Sequence, residues 1–376
     1  MESYLTAHIS ASAIEHNIRL LRGRIPAATK LCAVVKADAY GHGLVHLLGL
    51  LSSQADWLAV TNPEEALALR SLGYERPLLM FFSPCAAADG AELRETLGEL
   101  IAQNVTMTIV CESEVAAVAE AASRVGATAD VHMKIDSGMG RSGVLPVGAP
   151  ALAAAARARA SVRLSGMYTH FATADEADKA FAYGQLDTFA RAIEACGGHA
   201  GLCLHAANSA ATIDLPEAHL DMVRPGIAIY GYPPSDEMIN KLPLRPALRL
   251  TGRLMQVKTL PAGHKCGYGL TYTVPRDTLV GLVPVGYADG YPRSLSNRAT
   301  VRVRGADVPV LGRVAMDQVI VDLSAAPAAA VGDEVEIISS DPANPHSAEN
   351  LARLCGTITY EITTRLGNRA RRVLEA

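Results

Sequence analysis

Eight short apolar runs, each followed by room for a helix, constrain this 376-residue chain more than any other feature. They are LCAVVK (31–36), WLAV (57–60), PLLMFF (77–82), MTIV (107–110), DVHMKI (130–135), LSGMYTH (164–170), LCLHAAN (202–208) and MVRPGIAIYG (222–231). The first is typical: continuous, β-branched at Val34 and Val35, and too short for an ordinary helix, it reads as a buried strand. Between the runs lie segments such as NPEEALALRSLG, where Asn62 can cap a helix, Pro63 can sit in its first turn and Gly73 can end it. Strands alternating with helices pair in parallel, and eight such units close into a (β/α)8 TIM barrel. A doubly wound open sheet has the same periodicity, which by itself does not show closure.

The pattern breaks at GYPPSDEMINKLPLRPAL (231–248), whose four prolines neither helices nor central strands accept. Beyond it, LRLTGRLMQVKTL, TLVGLVPVGY, ATVRVRG and DEVEIIS alternate short runs with Gly and Pro, the texture of a mostly antiparallel β domain. The expected division is therefore a barrel over 1–235 and a β-strand domain over 236–376. Composition narrows the function. Lys plus Arg (34) against Asp plus Glu (38) leaves a net charge of −4 without a basic stripe, which argues against nucleic acid as a partner. The polar start MESYLTAHIS lacks an apolar signal core, and no run reaches membrane-spanning length. Seven scattered cysteines show neither paired nor metal-ligand spacing, so reduced thiols, a cytoplasmic location and no metal site are expected.

Barrel active sites lie at the C-terminal strand ends. Those ends carry Lys36, then Lys134 and Asp136 leading to Arg141, then His170, Asn208 with Ser209, and Arg224 with Gly226. A lysine kept among apolar walls and other cations loses proton affinity and becomes a nucleophilic amine able to form a Schiff base. Backbone N–H groups at Arg224-Pro-Gly226-Ile227 and the Ser209 hydroxyl are phosphate ligands of the usual barrel type. A Schiff-base lysine beside a phosphate cradle points to pyridoxal 5'-phosphate.

The motif AVVKADAYGHG resembles the cofactor-lysine motif of the alanine racemases. The likeness continues through KIDSGMGRSG, THFATAD, AANSA, RPGIAIYG, CGYGLTYT, PVGYADGYPR and GRVAMDQ, in the family's order and over nearly the whole chain. It implies interconversion of L- and D-alanine for peptidoglycan synthesis, and a homodimer whose sites draw on both subunits. Lys36 then holds the cofactor and serves as one acid/base group, and Tyr268 of the partner serves as the other. Tyr40, Ser209, Gly226, Ile227 and Tyr360 correspond to phosphate ligands, with Asn208 beside them. Arg224 corresponds to the arginine facing the pyridine nitrogen, and His170 to the histidine beside the ring. Arg141 and the Met316 backbone correspond to the substrate carboxylate site, and Tyr287 to the substrate entrance. Lys134 matches a lysine that many members carry as a carbamate. The chain has Ala315 where many members have cysteine, a position bordering the site.

Each residue also has a plainer reading. Lys36 can be a lysine with a buried stem and a solvated head, His170 a structural histidine, and Arg224 a surface residue closing a strand before Pro225. Lys134 and Asp136 can be a simple ion pair, and Gly267 and Gly269 ordinary turn glycines. Three other functions compete. A racemase of serine or another small amino acid keeps the mechanism, although Tyr360 argues against the serine-directed relatives. A barrel decarboxylase of basic amino acids is disfavoured by Arg224, and a single-barrel cofactor carrier by the second domain.

Overall fold

The computed structural model describes residues 4–83 and 90–376. Cys85 and the first three residues of the polar N-terminus lie outside them. Strands β1 (Leu5–Ser10), β2 (Lys30–Val34), β3 (Trp57–Val60), β4 (Leu78–Met80), β5 (Val105–Ile109), β6 (Ala129–Lys134), β7 (Val162–Tyr168), β8 (Cys203–His205) and β9 (Met222–Val223) fall in the first part of the chain. All eight expected strands, β2 to β9, pair in parallel in the order β8-β7-β6-β5-β4-β3-β2-β9. The two flanks of this sheet meet. The Asp221 N–H donates to Leu204 O at 3.0 Å and the Arg224 N–H to Ala207 O at 2.8 Å, so the sheet is a nearly closed barrel. Its strands are continuous apolar runs because helices cover one face and the barrel interior the other; all of β5 is buried.

The second domain contains β10 (Leu248–Arg253), β11 (Gln256–Leu260), β12 (Lys265–Cys266), β13 (Tyr272–Thr273), β14 (Thr278–Val283), β15 (Thr300–Val303), β16 (Ala306–Leu311), β17 (Val319–Asp322), β18 (Glu334–Ile338) and β19 (Arg371–Glu375). Nine strands form one sheet in the order β11-β14-β17-β16-β15-β18-β10-β1-β19. Its pairings are antiparallel except β1 with β19. Pattern and fold differ at β1. The opening strand belongs to this sheet, between β10 and β19, and not to the barrel. Its burial alternates along LTAHIS, as suits a strand with one face on a core and one toward solvent.

Start and end of the chain therefore meet, and the end reaches back to the barrel mouth. A Cβ on Gly41, whose φ is +82°, would overlap the Thr363 carbonyl. The Arg372 guanidinium donates to Gly41 O at 3.1 Å and to Leu366 O at 2.8 Å. Among the described residues no helix is long and apolar enough to cross a membrane.

Candidate active site

β2 ends at Val34, and Lys36 follows two residues later, where the barrel opens. Ala37, Asp38, Ala39 and Tyr40 then turn left-handed, with φ of 52°, 54°, 54° and 55°. Each non-glycine residue in that region costs roughly 1 kcal/mol, so four in a row need external support. Glu65 Oε1 accepts the Ala37 N–H at 2.7 Å, and Asp38 Oδ1 accepts the Leu44 N–H at 2.7 Å. His42 Nδ1 lies 3.0 Å from both Ala39 O and Tyr40 O, which assigns its ring proton to that nitrogen.

This turn carries Tyr40 across to the far side of the mouth. A Cβ on Gly226 would overlap Tyr40 Oη, so only glycine leaves room there. Ser209 Oγ accepts the Gly226 N–H at 2.8 Å, and the Tyr360 ring stands 6.1 Å from that of Tyr40. Three hydroxyls and the Gly226–Ile227 backbone thus gather at one end of the barrel, a donor set that suits a phosphate monoester. Asn208 Oδ1 accepts the Ala211 N–H at 3.0 Å and so caps the short helix Ser209–Asp214 that presents Ser209.

The other side is cationic. Arg224 is buried, not a surface residue. Its guanidinium donates to His205 Nδ1 at 2.8 Å, Thr169 O at 2.8 Å and Ala206 O at 3.0 Å. Burial lowers its pKa to about 10, which leaves it charged at neutral pH. Since Arg224 donates to His205 Nδ1, His205 carries its proton on Nε2, 2.8 Å from His132 Nδ1. Gly166 makes room for this pair: a Cβ there would sit 2.6 Å from His132 Nε2. The sequence offers His205, with His199, only as a histidine without metal-ligand spacing, and it does not single out His132 at all, because both His132 and His205 sit inside apolar runs that look like core. The only signal was a histidine in two strands that converge on the arginine's.

Lys36 is half-buried, and its pKa is lowered by burial and then by Arg141, with Glu65 acting against them. Lys134 is buried, with its pKa lowered to about 8 by burial, Arg141 and Arg224. Burial first, then Arg224, Lys134, Arg141 and Lys36 hold His170 well below the ordinary histidine range, so its imidazole is neutral. Asp136 spends its carboxylate on the loop amides of Gly138, Gly140 and Arg141 (3.0–3.1 Å), and thereby shapes the loop that presents Arg141.

Tyr268, Tyr287 and Met316 stand apart on the second domain, 74%, 44% and 50% exposed. Tyr268 lines an open cleft with Tyr287, Arg293 and Arg313. Gly267 and Gly269, with φ of 66° and 71°, bend its loop outward. The Tyr287 turn is held against residues 315–316, since the Tyr287 N–H donates to Ala315 O (3.1 Å) and the Ala288 N–H to Met316 O (3.0 Å).

Comparison with known proteins matches residues 9–234 to the alanine racemase N-terminal domain and residues 247–374 to the alanine racemase C-terminal domain. The alanine racemase of Desulfovibrio desulfuricans is 42% identical over 98% of this chain and 97% of its own. That of Symbiobacterium thermophilum is 40% identical over 97% and 96%. Among solved structures, alanine racemase from D-cycloserine-producing Streptomyces lavendulae aligns with TM-score 0.91 at 38% identity, covering 100% of this chain and 98% of that one. The Bacillus anthracis enzyme with bound L-Ala-P aligns with TM-score 0.90 at 30% identity, covering 100% and 96%. With both domain models matched and relatives at 40–42% identity along its length, this chain belongs to the alanine racemase family.

Proposed function

We propose that this chain racemises alanine at the barrel mouth with pyridoxal phosphate attached to Lys36, in a cytoplasmic homodimer whose second base, Tyr268, comes from the partner. The observation that carries the reading is the cradle, where Ser209 Oγ meets the Gly226 N–H at 2.8 Å and Tyr40 Oη fills the space of the absent Gly226 Cβ. When bound, the cofactor supplies the electron sink that makes a Cα–H bond acidic enough to break near neutral pH.

The remaining work belongs to side chains. Racemisation removes a proton from one face of Cα and returns one to the other, so two bases must flank it. Lys36, with its proton affinity already lowered, is suited to move the proton on one face. Arg224 stays charged and is itself only a donor, so an aromatic nitrogen set against it accepts a hydrogen bond and is kept from holding a proton of its own. That weakens the electron sink and disfavours transamination. Neutral His170 adds no charge beside the ring. In this reading Arg141 takes the substrate carboxylate, with the Met316 backbone completing that site and Tyr287 at the entrance, both arriving with Tyr268 from the partner. Lys134, with its pKa near 8, offers a fraction of free amine at neutral pH, which is what carbamate formation with carbon dioxide requires.

That the relatives are named alanine racemases supports reading alanine, not serine, as the substrate of this chain. The test is proton exchange at Cα of L-alanine in deuterated water, together with borohydride reduction and peptide mapping. We expect D-alanine carrying deuterium, and a pyridoxyl group on the Lys36 peptide. Faster turnover of serine, or a label on another lysine, overturns the reading.

A further inference from the structure

We propose that Glu65 is a positioning residue for Lys36: it ties the lysine's turn to the neighbouring strand end and supplies the carboxylate charge that faces the amine. This rests on Lys36 being the working lysine of the site. Glu65 lies in the first turn of helix Pro63–Ser71, and both carboxylate oxygens are used. Oε2 accepts the Thr61 N–H at 2.7 Å, just past β3, and Oε1 accepts the Ala37 N–H at 2.7 Å, the amide next to Lys36. One carboxylate therefore joins the C-terminal ends of two adjacent barrel strands. It also fixes the first peptide of the left-handed turn, where the strain begins.

The electrostatics agree with this placement. The groups coupled electrostatically to Lys36 include Arg141 from the loop after β6, Lys134 at the end of β6, His170 after β7, and Glu65. Arg141 is cationic, as is Lys134 while its amine is unmodified, His170 is neutral, and of the charges acting on Lys36, Glu65 is the one that keeps a proton on the amine. Without an anion there, the cations would strip the proton from Lys36 at lower pH, and the nitrogen could hold no proton to return to Cα.

A second glutamate provides the control. Glu114, in the helix after β5, braces its own strand end: it accepts the Val110 N–H at 2.6 Å, the Cys111 N–H at 3.3 Å and the Ser83 hydroxyl. It does not figure among the charges acting on Lys36. Glu114→Gln thus reproduces the loss of a brace without the loss of a charge at the lysine.

Two titrations read the effect. In the unloaded full chain, competitive acetylation across pH 6 to 11 follows the free Lys36 amine. In the cofactor-loaded chain, visible absorbance follows the proton on Lys36 Nζ. Glu65→Gln should move both limbs to lower pH by roughly half a unit to one unit, at or just below the low end of what a nearby opposite charge does to a pKa. On the limb, acetylation should be about three to ten times faster. Glu65→Asp draws the charge back by one methylene, so its limbs should move the same way by a smaller amount. Glu114→Gln should lower the thermal midpoint while leaving the limbs in place. Limbs that coincide with wild type in Glu65→Gln overturn the proposal, as do equal shifts in Glu114→Gln. Should Glu65→Gln not fold, unshifted limbs in Glu65→Asp have the same force. Acetylation reads the Glu65–Lys36 pair whatever Lys36 does, and borohydride mapping tests separately whether Lys36 holds the cofactor.

Discussion

At the scale of single residues, the site depends on groups held away from their ordinary protonation states. In the proposed reading Lys36 is the nucleophile, and Lys36→Ala leaves no other amine at the end of β2. We expect less than about one thousandth of the activity, since no neighbouring group can take over the amine's role. After borohydride reduction the variant should carry no cofactor through gel filtration in denaturant, whereas the wild type should; normal turnover with retained covalent cofactor would remove Lys36 from its role. His42 tests a different link, from burial to stability. Its imidazole is fully buried and its pKa is lowered to about 4. The folded state therefore binds the proton more weakly than the unfolded chain, whose histidine titrates near 6.5. The stabilisation is complete above pH 6.5 and is lost as pH falls from there toward 4. It amounts to on the order of 3 kcal/mol, at about 1.4 kcal/mol per unit. Urea midpoints between pH 7 and 4 should drop steeply in the wild type. They should drop less in His42→Gln, which cannot take up that proton; parallel curves would assign the acid sensitivity elsewhere.

At the scale of elements, the proposed phosphate cradle is the meeting of four chain segments: the left-handed turn after β2, the start of helix Ser209–Asp214, the turn after β9, and helix Thr359–Thr364, which carries Tyr360. Gly226→Ala places a methyl group on Tyr40 Oη and should push these segments apart. We expect pyridoxal phosphate affinity to fall at least about tenfold, equivalent to about 1.4 kcal/mol. Fluorescence titration measures this, and unchanged affinity would mean that the phosphate sits elsewhere. How much of this was legible in the sequence depends on the range of the interaction. The eight barrel strands were legible because strands buried on both faces are unbroken apolar runs. Lys36 and Arg224 showed as charges at the ends of such runs. β1 did not show, because LTAHIS lies far from its partners: Ala7 pairs with Leu250 on one side and Arg372 on the other. The hydrogen-bonded chain from Arg224 through His205 to His132 was hidden for the same reason. Nothing local says which strand ends face one another, and the plain ion-pair reading of Lys134 and Asp136 failed because the carboxylate turned to its own loop.

At the scale of the whole molecule, the two halves of the proposed chemistry sit on different domains, and only one half is enclosed. Lys36, His170 and Arg224 lie in the barrel mouth, while Tyr268 is 74% exposed beside Tyr287 and Arg313. A base that works on a carbon acid needs water kept away and a fixed approach, and an exposed tyrosine on an outward-bent loop has neither until another surface covers it. A barrel mouth supplies one face of a flat substrate complex, so the opposite face must be met from outside. An isologous dimer meets both needs at once, because each copy lends its Tyr268 to the other's barrel and receives one in return. The arrangement predicts complementation. Lys36→Ala and Tyr268→Phe homodimers should each be nearly inactive, since every site in them lacks one base. Unfolding and refolding equal amounts together makes about half the dimers mixed. In a mixed dimer both lesions fall in one site and the other site is intact, so roughly a quarter of wild-type activity should return. If Tyr268 acted within its own chain, every site in the mixture would keep one lesion. Subunit exchange confirmed by native mass, with no recovery of activity, would assign both bases to a single chain.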